Sequence, residues 1–266
     1  MTTKRPLALI TGASSGIGAD LAREYAADGH DLILVARGEA ALAALAAEVA
    51  KAHGVTATVI TADLLDPAAP RALLADIEGR GFVVDVLVNN AGFGDGSPFA
   101  GASRDKTLGM VQVNVTALTD LMHGLLPGMV ARGKGIVLNV ASTAAFQPGP
   151  SMAVYCATKA YVLSLSEAVA EELKGTGVTV TALCPGPTRT NFMEVADVAG
   201  NALFSKGLVP VMTSAEVAHI GHKAAKRGQV VAIAGLINQI GALAPRFTPR
   251  FVTRKLTGRL LASGRH

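Results

Sequence analysis

Seven short apolar runs, separated by longer stretches of helical periodicity, constrain this chain more than any other feature. The runs are Leu7–Ile10, Leu32–Val35, Val55–Ile60, Val86–Val88, Ile136–Val140, Val178–Leu183 and Val230–Ile233. Each is nearly continuous rather than alternating, the pattern of parallel strands buried on both faces. Helical patterns fill roughly 16–28, 39–53, 67–80, 103–132, 152–175 and 214–227, and Ala40–Ala50 is a strong helix former. Such alternation demands right-handed crossovers, so the expected fold is α/β, a doubly wound parallel sheet of about seven strands flanked by helices. No repeat, low-complexity tract or linker divides the chain. All 266 residues are expected as a single domain, a length that one core supports.

The first run feeds the turn Thr11-Gly12-Ala13-Ser14-Ser15-Gly16-Ile17-Gly18. Glycine at 12 permits a tight turn, glycine at 16 lets backbone approach a pyrophosphate, and glycine at 18 lets helix and strand pack closely. Free N–H groups and the helix dipole favour phosphate there. Gly12, Ser14, Ser15, Gly16, Ile17 and Gly18 are therefore expected to cradle a dinucleotide in a Rossmann-type fold. Ordinary strand–helix turns also carry glycine triplets; the position after the first strand of an α/β chain gives this one its weight. A NAD-type site ends its second strand on a carboxylate that binds the ribose hydroxyls. Here that strand ends Leu34-Val35-Ala36-Arg37. A guanidinium suits a 2′-phosphate, so NADP(H) is the expected coenzyme and NAD(H) the secondary one.

Charged residues make up 17% of the chain, against ~25% in typical globular proteins. Cofactor, substrate or another subunit is expected to cover part of the surface. The net charge of +4 gathers near the C-terminus, and no basic run with interleaved aromatics precedes residue 246, which speaks against nucleic acid. Cys156 and Cys184 are too few for a disulfide scaffold and form no Cys-x-x-Cys pair, so a reduced, cytoplasmic setting fits. The histidines show no ligand spacing, and no metal is expected. Met1–Pro6 runs into a short strand without the long apolar core of a secretory signal. No stretch of ~20 uninterrupted apolar residues offers a spanning helix.

Tyr155 and Lys159 stand at i and i+4 of a helical pattern and share one face. A free tyrosine, with a pKa of ~10, is a poor acid–base group near neutrality. A neighbouring ammonium favours the phenolate and draws that pKa down. Ser142 follows the strand run Ile136–Val140, at the sheet edge where ligands bind. Its hydroxyl can hydrogen-bond a substrate oxygen. Tyr-x-x-x-Lys alone is common by chance; the ordered set is not.

With Asp63-Leu64, Asn89-Asn90-Ala91-Gly92, Asn114 and Pro185-Gly186 added, residues 11 to about 190 resemble the classical short-chain dehydrogenase/reductase family. The resemblance implies Tyr155 as general acid toward a carbonyl or base toward an alcohol. It implies Lys159 on the nicotinamide ribose and lowering the Tyr155 pKa, Ser142 orienting the substrate oxygen, and Asn114 holding a water that links Lys159 to solvent. Asp63, with Leu64 beside it, would meet the adenine. Asn90, Ala91 and Gly92 would line the adenine ribose; Pro185, Gly186 and Thr188 would frame the nicotinamide, with Thr190 reaching the pyrophosphate. A homodimer or homotetramer built on 103–132 and 152–175 is also implied. The expected activity is NADP(H)-dependent interconversion of a ketone and a secondary alcohol. The alternatives are a non-catalytic NADP(H)-binding sensor or scaffold, marked by a broken catalytic set, and an NAD-dependent alcohol dehydrogenase of the same family.

Pro185 to about Met212 is a long connection, and 187–212 is expected to be a substrate lid. It carries Phe192, Met193, Val195, Val198, Leu203, Phe204 and Leu208. Phe93, Phe99, Phe146 and Met152 are expected near the cleft. If they do not merely close the core, they point to a steroid-, acyl- or other lipid-like carbonyl. In the tail, 246–266, Arg246, Arg250, Arg254, Lys255 and Arg259 interleave with Phe247, Phe251, Val252, Leu256, Leu260 and Leu261. A helix from about Pro249 would have a basic and an apolar face. Packing on its own domain or a partner subunit is the expectation; peripheral membrane contact and a cap over the substrate mouth are the alternatives.

Overall fold

The computed structural model describes residues 5–190 and 211–261. The strands are β1 (Leu7–Thr11), β2 (Asp31–Ala36), β3 (Ala57–Thr61), β4 (Val86–Asn89), β5 (Gly135–Val140), β6 (Val178–Cys184), the short β7 (Thr188–Arg189) and β8 (Met212–Thr213), and β9 (Val231–Ile233). Seven form one parallel sheet in the order β3-β2-β1-β4-β5-β6-β9, and β7 pairs with β8 apart from it. The order reverses beside β1, so β1 and β4 open a crevice at their carboxyl ends, where doubly wound sheets bind ligands.

Successive side chains of β1 divide between two cores. Ala8 and Ile10 join α1 (Gly16–Ala27), α2 (Glu39–His53) and α7 (Ser214–Lys226) on one face. Leu7 and Leu9 join α3 (Ala69–Gly79), α5 (Leu118–Ala131) and α6 (Ala153–Glu172) on the other. This two-sided burial is why the strand runs lack alternation.

Two differences from the sequence expectation matter. The stretch 103–132 is not one regular helix. It is α4 (Arg104–Val111), a π-helical turn at Gln112–Ala117, and α5. The widened turn contains Asn114, whose amide leaves the helix to pair with backbone elsewhere. Beyond β9 the chain also forms α8 (Leu236–Leu243), which was not expected, before α9 (Arg250–Leu261), which stands where the tail helix was expected. The lid residues Phe192, Met193, Val195, Val198, Leu203, Phe204 and Leu208 lie outside the described residues. No helix among the described residues is long and apolar enough to cross a membrane.

Candidate active site

The glycine turn is fixed by polar contacts between β1 and β4. The buried Thr11 Oγ1 donates to the Val88 carbonyl at 3.3 Å and accepts from the Asn90 and Ala91 backbone N–H groups, each at 3.1 Å. The Asn90 amide donates to the carbonyls of Thr11 and Gly12 at 3.0 and 3.1 Å. Gly12 has φ +65°, and a Cβ there would meet Asn90 and Ala91 within 3 Å. At Gly18 a Cβ would stand 2.3 Å from the Gly12 carbonyl oxygen, so helix and turn close only on glycine. At Gly16, with φ +55°, the neighbour is the Thr190 methyl at 3.0 Å, which brings Thr190 to the turn.

Ser15 precedes α1 without a side-chain cap, and the first turn of α1 contains no acidic residue. The positive end of that helix dipole thus has no side-chain anion of its own, an arrangement that fits a phosphate. A cleft of about 1050 Å³ runs from this turn along the sheet edge. Gly12, Ser14, Ser15, Gly16, Ile17, Arg37, Asp63, Leu64, Asn90, Ala91, Gly92, Ser142, Tyr155, Lys159, Pro185, Gly186, Thr188 and Thr190 all line it. Arg37 is exposed just past β2. The residue set fits a dinucleotide bearing a 2′-phosphate.

At the far end, β5 and β6 hold Ser142 and α6 brings Tyr155 and Lys159. Backbone pairing continues past the strands, from Ala141 N to the Leu183 carbonyl at 2.7 Å and from Thr143 N to the Pro185 carbonyl at 2.8 Å. Ser142 Oγ accepts from Ala144 N at 3.1 Å and donates weakly to the Pro185 carbonyl at 3.5 Å. It also stands close enough to the Tyr155 hydroxyl to draw its pKa down. Lys159 is buried, its Nζ donates to the Val140 carbonyl at 2.7 Å, and it lies 5.8 Å from the Tyr155 ring centroid.

Electrostatics here differ from the expectation that the ammonium draws Tyr155 down. Burial pushes the Tyr155 hydroxyl up, and the Ser142 hydroxyl offsets this only in part. Burial also disfavours the charged lysine, pushing Lys159 down to about 8. Desolvation is the largest influence on both groups.

Asn114 does more than the sequence suggested. Its Oδ1 accepts from Phe93 N at 3.1 Å, and its Nδ2 donates to the Phe93 carbonyl at 2.9 Å and to Thr158 Oγ1 at 3.1 Å. Both amide protons are committed, so the side chain could hold a water only through the remaining Oδ1 lone pair. The turn therefore clamps the irregular segment after β4 to α6. Thr11 and Thr158 were not foreseen as positioning residues; a threonine immediately before the first glycine was the only local signal. Phe93 and Met152 line the cleft as expected, joined by Val113, Thr143 and Gln147, which sequence reasoning missed. Phe99 instead is solvent-exposed, and Phe146 packs against the core beneath the sheet.

The model of the short chain dehydrogenase family matches residues 6–199. A serine 3-dehydrogenase of Rhizobium radiobacter is 36% identical over 234 residues, covering 86% of this chain and 91% of that protein. A very-long-chain 3-oxoacyl-CoA reductase of Laccaria bicolor is 38% identical over 65% of this chain, which spans only 52% of that protein's length. The solved structure of a short-chain dehydrogenase from Sphingobium yanoikuyae in complex with NADPH superposes with a TM-score of 0.81 at 33% identity, covering 98% of this chain and all of that one. With the matched family model spanning both the glycine turn and the Ser142–Tyr155–Lys159 cluster, this chain belongs to the short-chain dehydrogenase/reductase family of oxidoreductases.

Proposed function

We propose that this enzyme interconverts a ketone and a secondary alcohol on a fairly apolar small molecule, with NADP(H) preferred over NAD(H). The observation that carries the reading is that Ser142, Tyr155 and Lys159 meet at the wall of the cleft that begins at the glycine turn. A bound nicotinamide coenzyme supplies the hydride in either direction. The chain's residues manage the oxygen and its proton. Burial keeps Tyr155 protonated near neutrality, so it carries the proton that the developing alkoxide takes up, and the same burial opposes the release of that proton. Ser142 donates to the same oxygen and fixes its direction. Lys159, held by the Val140 carbonyl, is positioned to bind ribose hydroxyls and to favour the phenolate left after proton transfer.

Support for NADP(H) comes from Arg37, the absence of a carboxylate at the end of β2, and the NADPH held by the Sphingobium relative. Support for an apolar substrate comes from Phe93, Met152, Ala144 and Cys156, which pack around Tyr155. Both cysteines are buried free thiols, in keeping with a reducing, cytoplasmic setting. Self-association through α4–α5 and α6 is part of the same reading, because Leu108, Val111 and Tyr161 are exposed there. Steady-state turnover over a panel of medium-chain 3-ketoacyl thioesters, aryl ketones and polar hydroxy acids, with NADPH and NADH, tests it. The highest kcat/KM is expected for an apolar ketone with NADPH. A preference for a polar hydroxy acid such as serine, or for NADH, would overturn the substrate or the coenzyme assignment respectively.

A further inference from the structure

Both C-terminal helices are packed inside out. In α8 the residues turned to the protein are Asn238 and Ala242, while Leu236, Ile237, Ile240 and Leu243 face solvent. Among the described side chains of α9, Thr253 and Thr257 are buried, and Phe251, Val252 and Leu256 are exposed. The polar anchors are specific. Asn238 donates to the Ala234 carbonyl at 2.6 Å and fills the space beside Gly186. The single Thr257 hydroxyl proton is shared between the Pro148 carbonyl, on the segment leading into α6, and the Thr253 carbonyl of its own helix, each at 2.9 Å. The helices are therefore seated through polar side chains, yet they leave large apolar residues to solvent, Phe247 at 87%, Leu236 at 71% and Ile240 at 63% exposed. Large apolar side chains exposed at this density over one short stretch of chain point to an interaction surface.

The charge around these residues selects the occupant. Residues 217–266 contain nine Lys and Arg and no Asp or Glu. Arg246, Arg250, Arg254, Lys255 and Arg259 are exposed in the same stretch. In a symmetric contact with a second copy the same patch faces itself, which brings like charges together with no acidic partner from either segment. An anionic bilayer offers apolar depth for Phe247, Phe251 and Leu256 and negative headgroups for the basic residues. We propose that α8, α9 and the turn between them form a docking surface for an anionic membrane, with the exposed apolar side chains entering the interface. This assignment is independent of the substrate and coenzyme proposed above, because it is read from the outer face of helices whose inner face meets the cleft wall.

The test is sedimentation of the full chain with phosphatidylglycerol/phosphatidylcholine vesicles and with pure phosphatidylcholine vesicles, alongside sedimentation velocity without lipid. Partitioning onto the anionic vesicles should be on the order of 100-fold stronger in low salt than onto the zwitterionic ones, from three or so basic contacts, and should fall as salt rises. The double variant Phe247→Ser, Phe251→Ser and the triple variant Arg250→Gln, Arg254→Gln, Lys255→Gln should each lose most of that binding with melting temperature unchanged, since all five side chains are exposed. Equal, weak binding to both vesicle types would overturn the proposal. So would an oligomer that dissociates in the Phe247→Ser, Phe251→Ser variant without vesicle binding by the parent, which would assign the surface to a second copy.

Discussion

At the scale of single residues, the site is built on desolvation. Lys159 is the sharpest case: a primary amine in the core, pushed down to about 8 from an ordinary 10.5. The shift means that the unfolded chain binds more protons than the folded one between those values, so stability rises with pH across the window and the full penalty stands below pH 8. Replacing Lys159 by Met should therefore stabilise the fold at pH 7, by on the order of 2 kcal/mol after the lost bond to Val140 is allowed for. The gain should shrink as pH climbs toward 10.5, and turnover should be abolished. Chemical denaturation of both proteins at pH 7 and pH 10 checks it; a less stable variant at pH 7 would show that the buried ammonium stabilises rather than strains the fold. Arg37 makes the complementary case at the surface. Arg37→Ala should raise Kd for NADPH by about tenfold or more, the value of a charged hydrogen bond, and leave NADH unchanged, as titration of the two coenzymes would show. At this scale the sequence was informative wherever chemistry dictates residue type: the glycines, Tyr155, Lys159 and Ser142. It was silent on Thr158, whose role depends on an amide forty-four residues away.

At the scale of elements, strand positions followed from the apolar runs because a parallel strand buried on both faces leaves no other reading. Helix 103–132 did not follow, because a π-turn arises from where the Asn114 amide must reach rather than from local propensity. The seam between α1 and α7 was equally invisible in sequence. There His222 is buried against Tyr25, with Nδ1 3.5 Å from Glu24 and Nε2 3.5 Å from Asp28, while His219 meets Glu24 at 3.2 Å and Lys226 donates to Asp28 at 2.7 Å. His30 packs on the same tyrosine ring. Burial is the largest influence on His222 and His30 and holds both below 6.5, despite the carboxylates. Burial pushes Asp28 up, but the Lys226 hydrogen bond and charge outweigh it and hold the carboxyl below its ordinary value. For the histidines the unfolded chain takes up protons first, so stability is lost as pH falls from about 6.5. Asp28 adds a further loss of the same sign at lower pH. The melting temperature should thus drop on acidification from pH 7 to 5, and His222→Gln should flatten that drop. An unchanged pH slope in the variant would remove His222 from the account.

At the scale of the whole molecule, a doubly wound sheet brings residues from distant parts of the chain to one crevice. The first glycine turn, the end of β5, the start of α6 and the turn after β6 meet there because every strand points the same way. That convergence was readable from the order of motifs. What surrounds the crevice was not: the seating of α8 against Gly186 and of α9 against Pro148 rests on small polar residues that carry no periodic signal. The amphipathic tail pattern gave the helix but not its orientation, because a helix anchored through threonines can turn its large apolar residues outward. The central claim is that Tyr155 donates the proton that completes carbonyl reduction, and it is tested most directly by ketone-dependent loss of NADPH absorbance in the parent and in Tyr155→Phe. Turnover in the variant should fall by ~10²–10⁴-fold with NADPH affinity unchanged within about twofold. Turnover above a tenth of the parent's, with intact coenzyme binding, would contradict the assignment.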